Sequence, residues 1–246
     1  LNVQLTLLTN CTSNLNIGRL FKNTALRMVV LSADATEEVR KEMFDRINTS
    51  SVPLLPMETR RGIYRGDFMN FITELANNNK FRQLCPLTIY GENRREEEEL
   101  LLRFFAFSDC YPSYSAVEKN GVAKFLDLYV KDMNEKFSKE DRNHKQEAFD
   151  KLCDFISKTY PQQGFAKKKD TRGISKPYFE AIAVGACLAL KENPSIQNTI
   201  PGVLVVDKNN RNDFYNMLDG RYKTHTAKKI QQRIEYAKKA FLNESK

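Results

Sequence analysis

The sequence predicts a mainly helical protein, of the α+β class overall, in which a small β fragment precedes a helical bundle-like body. Two short runs rich in β-branched and apolar residues, VQLTLLT at residues 3–9 and ALRMVVLS at residues 25–32, have the composition of strands. After about residue 35, apolar residues recur at the three- and four-residue spacing of amphipathic helices. We therefore expect two strands at the start and helices through most of the remaining chain.

The first helix is predicted within the segment DATEEVRKEMFDRIN. Asp34 is expected to cap its N-terminus, because Glu37 follows three residues later in the arrangement of a capping box. Val39, Met43 and Ile47 fall on one face at helical spacing. We expect this face to be buried against the rest of the protein.

The second helix should begin at Pro56, because the fixed φ of proline suits the first helical position, and it should end before Gly66. The spacing of apolar residues and the positions of breakers predict the later helices. They are expected at residues 67–77, 80–84, 95–108, 122–137, 139–160, 177–192 and 226–242.

Two of the predicted helices have the composition of a protein core. LLLRFFAFSD is apolar on all sides except Arg103, and YFEAIAVGACLAL is apolar on all sides except Glu180. Helices of this kind are normally surrounded by other helices. The glutamates 96–99 that precede the first of them are expected to be solvated, because carboxylates at a helix start interact favourably with its dipole.

Composition excludes several classes of protein. With 246 residues and 41% hydrophobic content the chain can bury a sizeable core. Its longest apolar run, AIAVGACLAL, has about half the length that a transmembrane helix needs, and its start lacks the form of a signal peptide. Five widely spaced cysteines and two histidines offer no local zinc-ligand spacing, so no metal site is predicted. These features predict a cytoplasmic protein without a membrane partner.

The formal net charge of +8 is concentrated in FAKKKDTRGISK and in the terminal helix. In that helix a buried stripe is predicted at Ile230, Ile234, Ala237 and Phe241. Outside the stripe we place Lys228, Lys229, Arg233, Lys238 and Lys239. Two interpretations of these cations stay open. They form either an ordinary solvated surface or a DNA contact made by Lys228, Lys229, Arg233 and Lys238, because phosphate binding requires such a face but does not follow from one.

The segment FDRINTSSVPLLPMETRRGIYRG concentrates polar hydrogen-bonding groups at one predicted turn. One interpretation is structural, since Asn48 and the three hydroxyl residues after it would end one helix and Pro56 would begin the next. The other interpretation is a ligand site. Its basis is a resemblance that extends through the chain.

The order of motifs resembles the N-terminal domain family of the GmrSD restriction endonucleases. The family pattern runs strand, helix, Arg-x-Asn-Thr, Pro-x-Glu-x-Arg and Ile-Tyr-x-Gly-x-Phe, and these motifs stand here at residues 46–49, 56–60 and 63–68. The resemblance continues through LLLRFFAFSD, VAKFLDLYVKDMN, KPYFEAIAVGACLAL and TAKKIQQRIEYAKKAF. It implies a remnant of a ParB/sulfiredoxin-like nucleotide-binding domain over residues 1–55 and a helical domain over residues 56–246.

Departures from the family pattern limit what the resemblance implies. The Asp-Gly-Gln-Gln-Arg motif, which the family associates with nucleotide hydrolysis, does not occur, and the chain does not begin with methionine. We therefore expect that the front of the ParB-like domain is missing from this sequence. Leu55 stands where the family more often has asparagine, and no His-Asn-His nuclease segment follows Lys246. No catalytic residue is assigned to this chain.

The resemblance implies a nucleotide site in the opening of the helical body. Asn48 and Thr49 would present an amide and a hydroxyl to a phosphate or its Mg²⁺ ion, and Arg46 and Arg60 would bind phosphate oxygens. Glu58 would hold Arg60 in place. The implied cofactor is a nucleoside triphosphate with Mg²⁺, bound by the full-length protein.

The resemblance also implies a function and its partners. The chain would be the helical part of a GmrS-type, nucleotide-dependent component of a modification-dependent restriction or phage-defence system. Its partners would be DNA and a His-Asn-His nuclease domain or subunit, with homo-oligomerisation left open. The alternative belongs to another class, a non-catalytic module that binds DNA or protein through its basic face.

Overall fold

The computed structural model describes residues 30, 32, 34–48, 54–206, 211–219 and 224–243. Within these residues the secondary structure is helical and contains no strand, which confirms the mainly helical class. The α-helices of this part of the chain are α1 (Glu37–Asn48), α2 (Pro56–Ile63), α3 (Asp67–Ala76), α4 (Asn79–Leu84), α5 (Ile89–Asn93), α6 (Glu96–Asp109), α7 (Ser115–Lys136), α8 (Lys139–Thr159), α9 (Lys176–Glu192), α10 (Asp213–Leu218) and α11 (Ala227–Phe241). A 3-10 turn lies at Gly202–Leu204.

The predicted start of the first helix is wrong by two residues. Helix α1 begins at Glu37, so Asp34 does not cap it. The reason is a turn that begins at Ser32, whose hydroxyl accepts a hydrogen bond from the Asp34 amide while its carbonyl accepts one from the Ala35 amide. Most of the two predicted strands lies outside the described residues, and the described positions Val30 and Ser32 are not in a strand.

Most later helices agree with the sequence prediction, and their ends have local causes. Pro56 occupies the first turn of α2, and Ser138 caps α8 in a capping box with Asp141. Helix α7 begins at Ser115, seven residues before its predicted start, and contains a kink at Gly121, where φ is 74°. The prediction found only the segment after this kink. It also missed α5 and α10, which are too short to show apolar periodicity.

Helix α9 lies at the centre of the core, as its composition predicted. It packs most extensively against α11 and also contacts α6 and α8. Gly185 permits the close approach of α11, because a Cβ atom at this position would lie 2.8 Å from the Cβ of Ala237 and 3.0 Å from the backbone nitrogen of Lys238. Helix α6 is buried on nearly all sides too. Both core assignments are therefore confirmed.

The chain from Glu37 onward forms one compact unit. Within it α1 packs against α2, across the position where the domain boundary between residues 55 and 56 was predicted. That boundary stays a prediction of the family resemblance. Among the described helices, none combines the length and the apolar composition that crossing a membrane requires.

Candidate functional site

Arg60, which the family resemblance implies as a phosphate ligand, points into the interior of the helical unit. Only 3% of the Arg60 surface is exposed to solvent. Its Nε donates to Asp127 Oδ1 at 2.7 Å, one terminal nitrogen donates to Glu99 Oε2 at 2.7 Å, and the other donates to the Ala123 carbonyl at 2.9 Å. All three guanidinium nitrogens thus have protein acceptors, and the role of phosphate ligand stays a prediction of the family resemblance. Arg60 fastens α2 to α6 and α7.

Glu58 does not hold Arg60. Its Oε2 accepts a hydrogen bond from the Leu55 amide at 2.7 Å and lies 3.4 Å from an Arg94 terminal nitrogen. The reason is helical geometry, because residues two apart on a helix do not face each other. Glu58 instead satisfies an amide at the start of α2 that has no partner within the helix.

The contacts of Arg60 continue as a chain of buried ion pairs. Glu99 contacts Arg103 at 2.8 Å, and Arg103 contacts Glu180 at 2.6 Å. Glu180 also pairs with Arg233, which donates a further hydrogen bond to the Thr224 carbonyl at 2.5 Å. Arg103 and Glu180, the single charged residues that interrupt the two core helices, are thus partners. The chain connects α2, α6, α7, α9 and α11.

Both internal carboxylates of the ion-pair chain are held in their charged form. Burial alone would raise the pKa of Glu180, but Arg233 and Arg103 outweigh it and hold that pKa below its ordinary value. Burial likewise opposes ionisation of Glu99, and Arg103, Arg60 and Lys176 more than compensate, so its pKa is also lowered. Three arginines face three carboxylates along the chain. No charge in it is left buried without an opposite charge beside it.

The expectation that glutamates 96–99 are solvated is wrong for the last three of them. Glu97, Glu98 and Glu99 are all buried in α6. Glu98 Oε1 accepts hydrogen bonds from Arg61 at 2.9 Å and Arg95 at 3.1 Å. Arginines from neighbouring segments cover the start of α6, and their ion pairs with the glutamates offset the free-energy cost of burying these carboxylates.

The other predicted nucleotide ligands lie on α1 or beyond it. Arg46 is in the last turn of α1, with a side chain that is 74% exposed and that contacts Glu42 at 2.5 Å. Asn48 is the last residue of α1, which confirms that a helix ends there. Its side chain and the whole of Thr49 lie outside the described residues. Arg46 and Arg60 therefore differ in environment, since one faces solvent and the other faces the interior.

The predicted DNA-binding face of α11 is smaller than its sequence indicated. Arg233 is 1% exposed and belongs to the ion-pair chain, so its assignment to the outer face is wrong. Lys238 is half-buried, 2.7 Å from Glu192 and over the ring of Tyr111. Lys228 is exposed and Lys229 is half-buried. The helical spacing itself indicated that Arg233 is buried, because position 233 lies three residues after Ile230 and therefore on the buried stripe.

A polar cluster that the sequence did not reveal lies in a cavity of about 810 Å³ between α6, α7, α8 and α9. The Tyr129 hydroxyl donates a hydrogen bond to Asp109 Oδ2 at 2.6 Å, and the Lys145 ammonium donates to the same oxygen. The Lys145 ammonium also lies 3.3 Å from the Tyr129 hydroxyl. Lys145 lies four residues before the buried Phe149 and so shares the apolar face of α8. The position of Lys145 on this apolar face was the sequence feature that could have indicated a buried polar cluster.

The fold and these contacts define a helical protein whose elements are fastened by a buried ion-pair chain. Comparisons of the chain with protein-family models, curated proteins and solved structures give no match. Among the residues that the structure describes, no group of three or more His, Cys, Asp or Glu side chains could hold a metal ion.

Proposed function

We propose that this chain is the helical body of a GmrS-type, nucleotide-dependent component of a modification-dependent restriction or phage-defence system. Nucleotide binding or hydrolysis in its ParB-like part would govern DNA cleavage by a His-Asn-His nuclease partner. The basis is the ordered resemblance of the motifs described above. The supporting structural observation is the set of contacts made by Arg60, the last residue of the Pro-x-Glu-x-Arg motif.

In this proposal Arg60 couples the two parts of the protein rather than binding phosphate. The motif lies where the chain enters the helical body, and Arg60 joins that entry to α6 and α7 through buried, charge-assisted hydrogen bonds. A movement of α2 would disturb these bonds and, through Glu99 and Arg103, the contacts of the central helix α9. Arg46, Asn48 and Thr49 remain the proposed nucleotide ligands, with Mg²⁺ bound beside the phosphates.

A second candidate function is a non-catalytic DNA-binding module. It is favoured by exposed cations such as Lys168, Arg172 and Lys228, which have no ion-pair partner among the described residues. Unpaired lysines and arginines are available to neutralise DNA phosphates without first losing an intramolecular contact. The two candidates differ in whether a nucleotide controls the protein.

The test of the first function is DNA cleavage by the intact protein together with a His-Asn-His nuclease encoded beside it in its genome, and the absence of such a gene would itself count against this function. Modified and unmodified DNA are compared, each with and without a nucleoside triphosphate and Mg²⁺. We expect cleavage of modified DNA only when the nucleotide is present. Nucleotide-independent cleavage, or none with any of the nucleoside triphosphates, would contradict the proposal and favour the binding module.

The isolated chain of residues 1–246 is expected to hydrolyse nucleoside triphosphates at no more than background rates. It lacks the family's hydrolysis motif, and activation of water requires a positioned base or metal. Phosphate release in the presence of Mg²⁺ measures this directly. Robust turnover that disappears in Asn48→Ala would place a catalytic centre inside the chain.

DNA binding through α11 is expected to depend on Lys228 and Lys229, not on Arg233. The double change Lys228→Gln/Lys229→Gln should weaken binding of any sequence alike and reduce the slope of log affinity against log salt by up to about 1.8. Fluorescence anisotropy with a labelled duplex at several salt concentrations measures both quantities.

The matched control for this measurement is Lys119→Gln/Lys124→Gln, which removes two exposed lysines of α7. An equal loss of affinity in both double variants would indicate a general effect of net charge. An unchanged affinity and slope in the α11 variant would leave its lysines as ordinary solvated surface.

A further inference from the structure

The cavity between α6, α7, α8 and α9 has the size of a small-molecule site. Its volume of about 810 Å³ falls within the roughly 300–1,000 Å³ of typical ligand pockets. Phe104, Phe105, Met133 and Leu190 contribute an apolar wall. Three of these side chains are buried and Leu190 is half-buried. A ligand with an apolar portion of modest size can therefore lose contact with water against this wall.

The polar end of the cavity holds a lysine in a fixed position. The Lys145 side chain is only 10% exposed, and its ammonium contacts Asp109 and Tyr129 and lies 5.2 Å from the centre of the Phe105 ring. Burial and the Asp109 carboxylate raise the pKa of Tyr129 well above its ordinary value, so this phenol stays neutral and donates a hydrogen bond to Asp109. An ammonium group has three N–H donors, and these two contacts leave one for a ligand.

Two cations that line the cavity keep free N–H donors, while one carboxylate, Asp141, is engaged only by the uncharged Ser138 and keeps its negative charge. Each of its carboxylates is already engaged by a described donor. Asp109 binds Lys145 and Tyr129, Asp132 binds Lys136, Glu147 binds Lys151 at 2.6 Å, and Asp141 accepts from the Ser138 amide at 3.0 Å and hydroxyl at 2.7 Å. In contrast, Lys191 and His144 line the same cavity without a hydrogen bond or ion pair to any described residue. An anionic group placed beside Lys145 and Lys191 would therefore gain N–H donors that no described residue uses, whereas a cation there would be repelled by both lysines.

A buried hydroxyl whose polar neighbour is a thiol also faces this cavity. Ser108 Oγ is buried and has no hydrogen-bond partner of normal geometry among the described residues. It lies near the Cys187 thiol, whose pKa is raised by burial and lowered only in part by Lys191 and Ser108. Because sulfur is a weak hydrogen-bond acceptor, a ligand oxygen would be a stronger partner for this hydroxyl.

We propose that this cavity binds a small organic anion, a carboxylate or phosphate ester with an apolar portion. The anionic group accepts the remaining N–H of Lys145, and Lys191 neutralises it at the rim. Ser108 donates to a second oxygen of the ligand, and the apolar portion packs against Phe104 and Phe105. The site is independent of the function proposed above, because no residue of it belongs to the segment between Phe44 and Gly66.

The test measures binding of four aromatic probes by isothermal titration calorimetry and ligand-observed NMR. Benzoate and phenyl phosphate carry the anionic groups, and benzyl alcohol and benzylamine are neutral and cationic molecules of similar shape. We expect at least one anion to bind with a Kd of about 1 mM or tighter and at least about tenfold more tightly than benzylamine. The comparison of the two anions distinguishes a carboxylate site from a phosphate site.

Variants locate the bound anion. Lys145→Met should weaken binding about tenfold or more, and Lys191→Gln and Ser108→Ala about threefold to fivefold each. Lys191 is exposed, so its change tests the site even if Lys145→Met fails to fold. Lys158→Gln removes an exposed lysine elsewhere on α8 and should leave affinity unchanged.

Three results would overturn the proposal. They are binding of benzylamine or benzyl alcohol as tight as that of the anions, no detectable binding of either anion, and anion binding that is unchanged in both Lys145→Met and Lys191→Gln.

Discussion

Glu180→Ala is expected to lower the free energy of unfolding by about 3 to 5 kcal/mol, the largest effect of any single substitution considered for this protein. Glu180 is 1% exposed and lies between Arg103 and Arg233. Its removal leaves two buried guanidinium groups without the carboxylate that they share. Urea denaturation at neutral pH, followed by circular dichroism, measures the loss.

The matched control is Glu135→Ala, because Glu135 is an exposed glutamate in α7. Its substitution should change the free energy of unfolding by less than about 0.5 kcal/mol. If Glu180→Ala does not fold, Glu180→Gln retains an acceptor for one arginine and should give a folded but weakened protein. A loss below about 1 kcal/mol in Glu180→Ala would show that the ion-pair chain contributes little to stability.

The dependence of stability on pH provides a second measurement on the Glu180 carboxylate. The pKa of Glu180 is lower in the folded protein than its ordinary value of 4.5, because the two arginines outweigh the effect of burial. Its contribution to stability is therefore complete above the unfolded pKa and is lost as pH falls through the folded pKa. The wild-type protein should lose stability below about pH 4.5, and this part of the acid dependence should be absent in the Glu180 variants.

Arg60→Ala is expected to lower the free energy of unfolding by about 2 to 4 kcal/mol. The expected loss is smaller than for Glu180, since Glu99 keeps its contacts with Arg103 and the Asp127 side chain is partly exposed. Glu58→Ala should cost only about 1 kcal/mol, because it removes the acceptor of one backbone amide at the start of α2. Thermal and urea denaturation of the two variants measure the difference.

The double variant Glu58→Ala/Arg60→Ala tests whether Glu58 and Arg60 contact each other, as the sequence analysis expected, or have separate partners, as in the structure. If Glu58 held Arg60, the double variant would lose about as much free energy of unfolding as the more damaging single variant. In the structure they have different partners, so their effects should add within about 0.5 kcal/mol. Nucleotide affinity of the intact protein should fall only as far as folding is impaired. A stable Arg60→Ala variant that no longer binds nucleotide would restore Arg60 as a phosphate ligand.

Helix positions followed from the sequence because they depend on contacts close along the chain. Pro56 begins α2, Ser138 and Asp141 cap α8, and the continuous apolar surface of α9 indicated its central position. Each of these signals lies within the element that it determines. The two helices that the sequence analysis missed, α5 and α10, are too short for their local sequence to show apolar periodicity.

The candidate site was less predictable because its side chains meet across large separations in sequence. Arg60 meets Asp127, and Arg103 meets Glu180, in pairs more than 60 residues apart. Local spacing cannot show whether an arginine on a helix faces solvent or a carboxylate of another helix. Two local signals were nevertheless present, because Glu58 and Arg60 are two residues apart on one helix and Arg233 lies on the apolar stripe of α11.

The sequence by itself determined which segments are helical, where most of them begin and end, and which two form the core, because backbone preferences and apolar periodicity act over a few residues. Only the tertiary structure decided the environment of each charge. It buried Arg60 and Arg233, left Arg46 and Lys228 exposed, and placed Lys145 in a cavity. The physical reason is that a buried charge is stable only beside an opposite charge, and that partner is supplied by whichever helix packs against it.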